Sequence, residues 1–255
     1  MEIKRDLYLQ RLIDRMHNGM IKVVTGIRRC GKSYLILKIF RDYLFGIGVD
    51  PSHILQVALD LRENAPLRDP DAILAHIRSL LLNDGQWTYI FLDEVQLLPE
   101  FEDVLNSLLH IPTVDVYVTG SNSRFLSKDV ITEFRGRGDE VHLFPLSFRE
   151  FMSVYTGDVY HGWAEYVTYG GMPLACAMRS DEQRARYLED LFAETYMKDI
   201  IARNGIVKTQ ELDDLVDVLA SCIGSLTNPS RIEATFKSEL HSDISRNTIY
   251  TYIEY

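Results

Sequence analysis

The chain has 255 residues, 46% of them hydrophobic, which is enough to bury a sizeable core and excludes a disordered or low-complexity chain. Its net charge of −10 is uneven: residues 1–50 hold ten Lys/Arg and five Asp/Glu, a net +5, so a polyanionic ligand fits the basic end better than a nucleic-acid coat fits the whole surface. Three dispersed cysteines (Cys30, Cys176, Cys222) exclude a disulfide framework, and no apolar run approaches the roughly 20 residues of a membrane span, so the expectation is a reduced, cytoplasmic protein without membrane contact.

The first element is an amphipathic helix, with Leu9, Leu12, Ile13 and Met16 at i, i+3, i+4 and i+7. "IKVVTG" reads as a short buried strand ending at Gly26. Behind it Ile36, Ile39, Phe40, Tyr43 and Leu44 form a helical stripe. "HILQVALD" (53–60) is a second strand. Asp69-Pro70 is an N-cap and first-turn proline ahead of the stripe Ile73, Leu74, Ile77, Leu80 and Leu81. "YIFLDE" (89–94) is a third strand, and Pro99 opens a helix with Phe101, Leu105, Leu108 and Leu109 on one face. "VDVYVTGS" (114–121) and "EVHLFP" (140–145) are the fourth and fifth strands. Apolar strands alternating with helices imply an α/β fold, a parallel sheet of about five strands flanked by helices.

After Pro145 only helices are expected. "SFRE" (147–150) is a capping box, "YGGMP" (169–173) is a break, and Asp181 to Arg203 is one long helix stopped by Asn204-Gly205. The expected organisation is an α/β domain over 1–146, a helical lid over 147–210, and the start of a helical, winged-helix-like region over 211–255.

The chemistry concentrates in "GIRRCGKS", residues 26 to 33, between a strand and a helix. Gly26, Ile27, Arg28, Arg29, Cys30 and Gly31 form a loop whose N–H groups converge on one anion, helped by the N-terminus of the helix that Lys32, Ser33 and Tyr34 open. Lys32 suits the β/γ-phosphates, and the Ser33 hydroxyl suits Mg²⁺. Arg28 and Arg29 read as solvent-facing or backbone-bonding. Cys30 reads as a small residue that fits the loop, the alternative being an oxidisable thiol made acidic by the helix N-terminus.

Asp93 ends the third strand where Mg²⁺ would be held, and Glu94 beside it can polarise a water for attack on the γ-phosphate. At the end of the fourth strand either Ser121 or Asn122 can hydrogen-bond that water or the phosphate. Arg135 and Arg137, in "EFRGRG", carry the planar charge that suits a transferring phosphoryl group, including one bound by a neighbouring subunit.

Taken together, the loop, "FLDEVQ", "VTGSN", "FRGRG", "PLSFREF" and "YGGMPLA" resemble the AAA+ P-loop ATPases, and within them the bacterial and archaeal proteins with a C-terminal DUF4143-type region. The resemblance implies Walker A at Gly26–Ser33, Walker B at Asp93 with Glu94, and a sensor-1 residue at Ser121 or Asn122. It makes Arg137 the favoured finger in a homo-oligomer and places Pro173 on the adenine of ATP. It also implies a chain shorter than family members usually are. "ISRNTIYTYIEY", with Ser245 as N-cap, is similar to the recognition part of a helix-turn-helix and would put Arg246 near DNA, the alternative being a packing module without nucleic acid, which the weak basic charge of this stretch favours. The functional expectation is Mg²⁺-dependent ATP hydrolysis driving a conformational switch. The alternative is a nucleotide-dependent DNA-binding or regulatory scaffold with little hydrolysis. A small-molecule kinase is disfavoured by the adjacent Asp-Glu pair.

Overall fold

A computed structural model describes residues 3–120, 136–242 and 244–254. The chain divides into two compact units, Met1–Ala185 and Arg186–Tyr255.

In the first unit β1 (Ile21–Thr25), β2 (Ile54–Ala58), β3 (Thr88–Asp93), β4 (Val114–Thr119) and β5 (Gly138–His142) form one parallel sheet in the order β2-β3-β4-β1-β5. Successive side chains on a strand point to opposite faces, and both faces are covered, which is why the inner strands read as unbroken apolar runs. Ile90 and Leu92 of β3 join Val23, Val116 and Val118 in a core closed by α3 (Pro70–Leu80) and α4 (Phe101–Leu109). Tyr89 and Phe91 point the other way. They pack with Val24 and Tyr117 beneath α1 (Asp6–Ile13) and α2 (32–46). Helix α2 runs through Lys32–Tyr34, the wider π-type turns of Leu35–Phe40, and Arg41–Gly46.

Local chemistry sets the element ends. The Asp69 carboxylate accepts the Ala72 N–H at 2.9 Å ahead of Pro70, as its sequence predicts. The fifth strand starts two residues earlier than "EVHLFP" suggests and ends three earlier. Asp139 is tolerated at its start because its carboxylate takes Arg15 at 2.8 Å and Asn18 at 2.9 Å. A charged pair also lies inside the sheet. Lys22, fully buried, meets the Asp115 carboxylate, which accepts a further bond from the Tyr117 hydroxyl at 2.9 Å. Burial pulls the Lys22 pKa down, against the pull of Asp115.

Past the sheet, Ser147 and Glu150 close the expected capping box on α5 (Phe148–Met152), followed by α6 (Val159–Tyr169) and α7 (Pro173–Ala177). These three helices, at the start of the span expected as a lid, belong to the same compact unit as the sheet.

Residues 181–204 are helical throughout as α8 (Asp181–Asp190, Leu191–Met197, Lys198–Asn204), ending on Gly205 at φ 60°. In the second unit α9 (Thr209–Ser221), α10 (Pro229–Ser238) and α11 (Arg246–Glu254) share a core of Leu215, Ile232, Phe236, Ile244 and Ile249. The Ser245 hydroxyl caps α11 by accepting the Thr248 N–H at 3.1 Å. No helix of the described residues is long and apolar enough to cross a membrane.

Candidate functional site

In a parallel sheet all strands end on one edge, and that edge is where β1 passes into the glycine loop and β3 delivers its carboxylates. Gly26 has φ +140°, and a Cβ there would lie 2.2 Å from the Leu143 carbonyl oxygen, so the backbone beyond β5 permits no side chain. Gly31, at φ +103°, turns the chain into α2. Ile27, Arg28 and Arg29 form an exposed crest, and Tyr34 is also exposed. Cys30 is buried, with its thiol 3.5 Å from the Leu143 carbonyl oxygen. Burial pushes that thiol's pKa up, opposite to the acidified thiol of the alternative reading.

Lys32 is 4% exposed, and its ammonium donates to the Gly26 and Ile27 carbonyls at 2.9 and 3.0 Å. Burial draws its pKa down, countered by Cys30, Glu94 and Asp93. The Ser33 hydroxyl lies near enough to the Asp93 carboxylate to lower its pKa, so the loop serine and the β3 carboxylate are neighbours, though 60 positions apart in sequence. Asp93 is buried and its pKa is raised, chiefly by desolvation, while Thr119 and Ser33 pull it back. A hydroxyl and a carboxylate oxygen are the hard donors that suit Mg²⁺.

The sequence reading missed Thr119. It ends β4 one position past the Leu92↔Val118 pairing, which sets it beside Asp93. Its hydroxyl donates to Asp93 Oδ1 and accepts the Glu94 N–H at 2.9 Å. That bond holds Glu94 at φ 54°, in the left-handed region. "VTG" at the end of a strand next to the acidic one was the available signal.

Beside the loop lies a cavity of about 330 Å³ walled by Ile3, Tyr34, Leu146, Pro173, Leu174 and Ala177. Its shape depends on a seam between Leu146 and Gly171. The Leu146 N–H donates to the Gly171 carbonyl at 2.7 Å, and a Cβ on Gly171 would lie 2.0 Å from the Leu146 oxygen. Pro173 is thereby brought to the loop, where a Cβ on Gly31 would touch its ring at 4.0 Å. Arg5, also missed from sequence, is 4% exposed at the edge of this cavity. Its guanidinium donates to the Phe144 carbonyl at 2.6 Å and the Cys30 carbonyl at 3.5 Å, and pairs with Glu150 at 2.9 Å. It thus joins the loop, the exit of β5 and the first helix after the sheet.

Arg137 is not part of this assembly. It directly precedes β5, and its carbonyl accepts the Ile21 N–H at 2.8 Å, at the sheet edge opposite the loop. Five strand residues separate the two ends, about 15 Å. Its guanidinium donates to Asn106 Oδ1 at 3.0 Å on α4. Ser121, Asn122 and Arg135 lie outside the described residues.

Comparison with known proteins finds relatives and a family for this chain. An uncharacterized protein of Haemophilus influenzae is 32% identical over 99% of this chain and 64% of its own length. An uncharacterized protein of Methanocaldococcus jannaschii is 24% identical over 99% of this chain and 57% of its own. The chain therefore spans under two thirds of the length of these relatives. Among solved structures, a Walker-type ATPase of Pyrococcus abyssi shares the fold with a TM-score of 0.56 at 17% identity, covering 99% of this chain and 88% of that one. The DUF4143-type expectation is corrected: residues 160–255 match a different family model, the domain of unknown function DUF8612. Residues 18–152, just over half of the chain and including the glycine loop, Asp93 and Glu94, match the AAA domain model AAA_14, and the chain belongs to that AAA family.

Proposed function

We propose that the chain binds ATP and hydrolyses its β–γ phosphoanhydride with Mg²⁺, using the turnover as a conformational switch. The carrying observation is the meeting of Ser33 and Asp93 at the loop, with Glu94 held next to them through Thr119. The loop N–H groups and Lys32 hold the phosphates, and Ser33 and Asp93 would hold Mg²⁺, which when bound supplies charge neutralisation on the β/γ oxygens. Glu94 takes a proton from the attacking water as the water oxygen bonds to the γ-phosphorus and the bond to the bridging oxygen breaks, releasing ADP and phosphate. Pro173 and its apolar neighbours receive the base.

Arg137 acts, in this reading, on the nucleotide of a second copy, since its own loop lies at the far edge of its sheet. DNA is left out of the proposal. Residues 186–255 hold seven Lys/Arg against twelve Asp/Glu, and Arg246 is paired with Glu233 at 3.3 Å.

Phosphate release by the wild type and by Glu94→Gln tests the reading. The expected result is a loss of about 100-fold or more in kcat with nucleotide binding retained. Equal activity of the two would show that Glu94 is not the base.

A further inference from the structure

Glu94 leads into one short turn, Val95–Leu97. Val95 and the following Leu98 are buried in the sheet core and anchor this turn. Between them, the Gln96 amide nitrogen donates to Glu94 Oε2. The other end of the same amide, Oε1, is buried and has no hydrogen-bond partner among the described residues.

Packing alone does not account for this arrangement. Buried amide oxygens are nearly always paired, and an apolar side chain of similar length would fill the space without stranding an acceptor. The orientation of the amide is fixed as well, because a flip would set Oε1 against the Glu94 carboxylate, where neither atom can donate. The Glu94 backbone is already held by its N–H bond to Thr119. Gln96 meets the glutamate side chain at its carboxylate.

We propose that Gln96 is a positioning residue for hydrolysis: its amide holds the Glu94 carboxylate in the orientation from which it polarises the attacking water. The proposal rests on the reading of Glu94 as the base. It assigns a role to the glutamine of "FLDEVQ", two residues beyond the acidic pair.

The test is a double-mutant cycle on the full chain, reading phosphate release across ATP concentrations with Mg²⁺ and the thermal midpoint of each variant. Gln96→Leu is expected to lower kcat about tenfold with KM and Tm unchanged, the scale of a catalytic group turned out of line. In the Glu94→Gln background Gln96→Leu is expected to cost nothing further, because the carboxylate it positions is gone. Gln96→Asn, which keeps an amide on a shorter stem, should restore part of the rate. Gln96→Met repeats the comparison if the leucine variant fails to fold.

An unchanged kcat in the apolar variants overturns the proposal. So does an equal further loss in the double variant, or a fall in KM or Tm that parallels kcat. If Glu94→Gln is inactive while Gln96→Leu is fully active, only the positioning role is lost. If Glu94→Gln matches the wild type, or the wild type releases no phosphate, the base assignment fails and Gln96 falls with it.

Discussion

Asp93 shows what a single buried carboxylate at this site costs the fold. Burial raises its pKa, so the ionised form of this carboxylate is disfavoured in the folded chain, softened by the Thr119 and Ser33 hydroxyls. A raised carboxylate pKa means stability is greatest at low pH, where the group is protonated in folded and unfolded chains alike, and is lost as pH rises through the folded value. Asp93→Asn keeps an acceptor for Thr119 and removes the charge. It should therefore raise Tm at pH 7 without nucleotide, by an increment that shrinks as pH falls into the carboxylate range, and should weaken Mg²⁺-dependent nucleotide binding. Thermal melts at pH 4 and pH 7 check the first part; a Tm at pH 7 at or below wild type would contradict it. The loop and both acidic residues were legible in the sequence because each is a local pattern. Thr119, Arg5 and the partner of Lys22 were not, because what pairs them is strand register, with Asp115 93 positions from Lys22.

Among elements, the seam between Leu146 and Gly171 controls the apolar cavity. Gly171→Ala places a methyl group against the Leu146 carbonyl oxygen, where the wild-type backbone leaves no room. The seam must open, displacing Leu146 and Pro173, which both line the cavity. We expect a loss of about 2 kcal/mol in stability, as for other overpacked buried sites. Nucleotide affinity should fall roughly tenfold, about 1.4 kcal/mol, with a smaller effect on kcat. Equilibrium binding of a fluorescent ATP analogue beside single-turnover hydrolysis separates the two. The five strands, the Asp69 cap and the Ser147/Glu150 box followed from period and end chemistry in the sequence. The start of β5 did not, because Asp139 argues against a strand until its partners Arg15 and Asn18 are in place.

At the scale of the whole molecule, one chain holds a phosphate loop and an arginine at opposite edges of one sheet. A site completed by Arg137 therefore needs two copies. Lys32→Ala and Arg137→Ala, each impaired alone, should together recover part of the wild-type rate when mixed, since one chain then lends its arginine to the other's intact loop. The activity of wild type per chain should rise with protein concentration. A mixture no more active than the sum of its parts would assign Arg137 to its contact with Asn106. The order β2-β3-β4-β1-β5 has a further consequence, for synthesis. The loop follows β1, an early strand, yet β1 lies between β4 and β5, the last two to be made. The carbonyl that packs on Gly26 belongs to Leu143, so at bacterial-like elongation rates of about 5–20 residues per second the loop waits on the order of ten seconds for its neighbours. A nascent chain halted before β5 should expose a phosphate loop with no wall behind it, and ATP should protect ribosome-bound chains from protease only once residues beyond Leu143 have emerged.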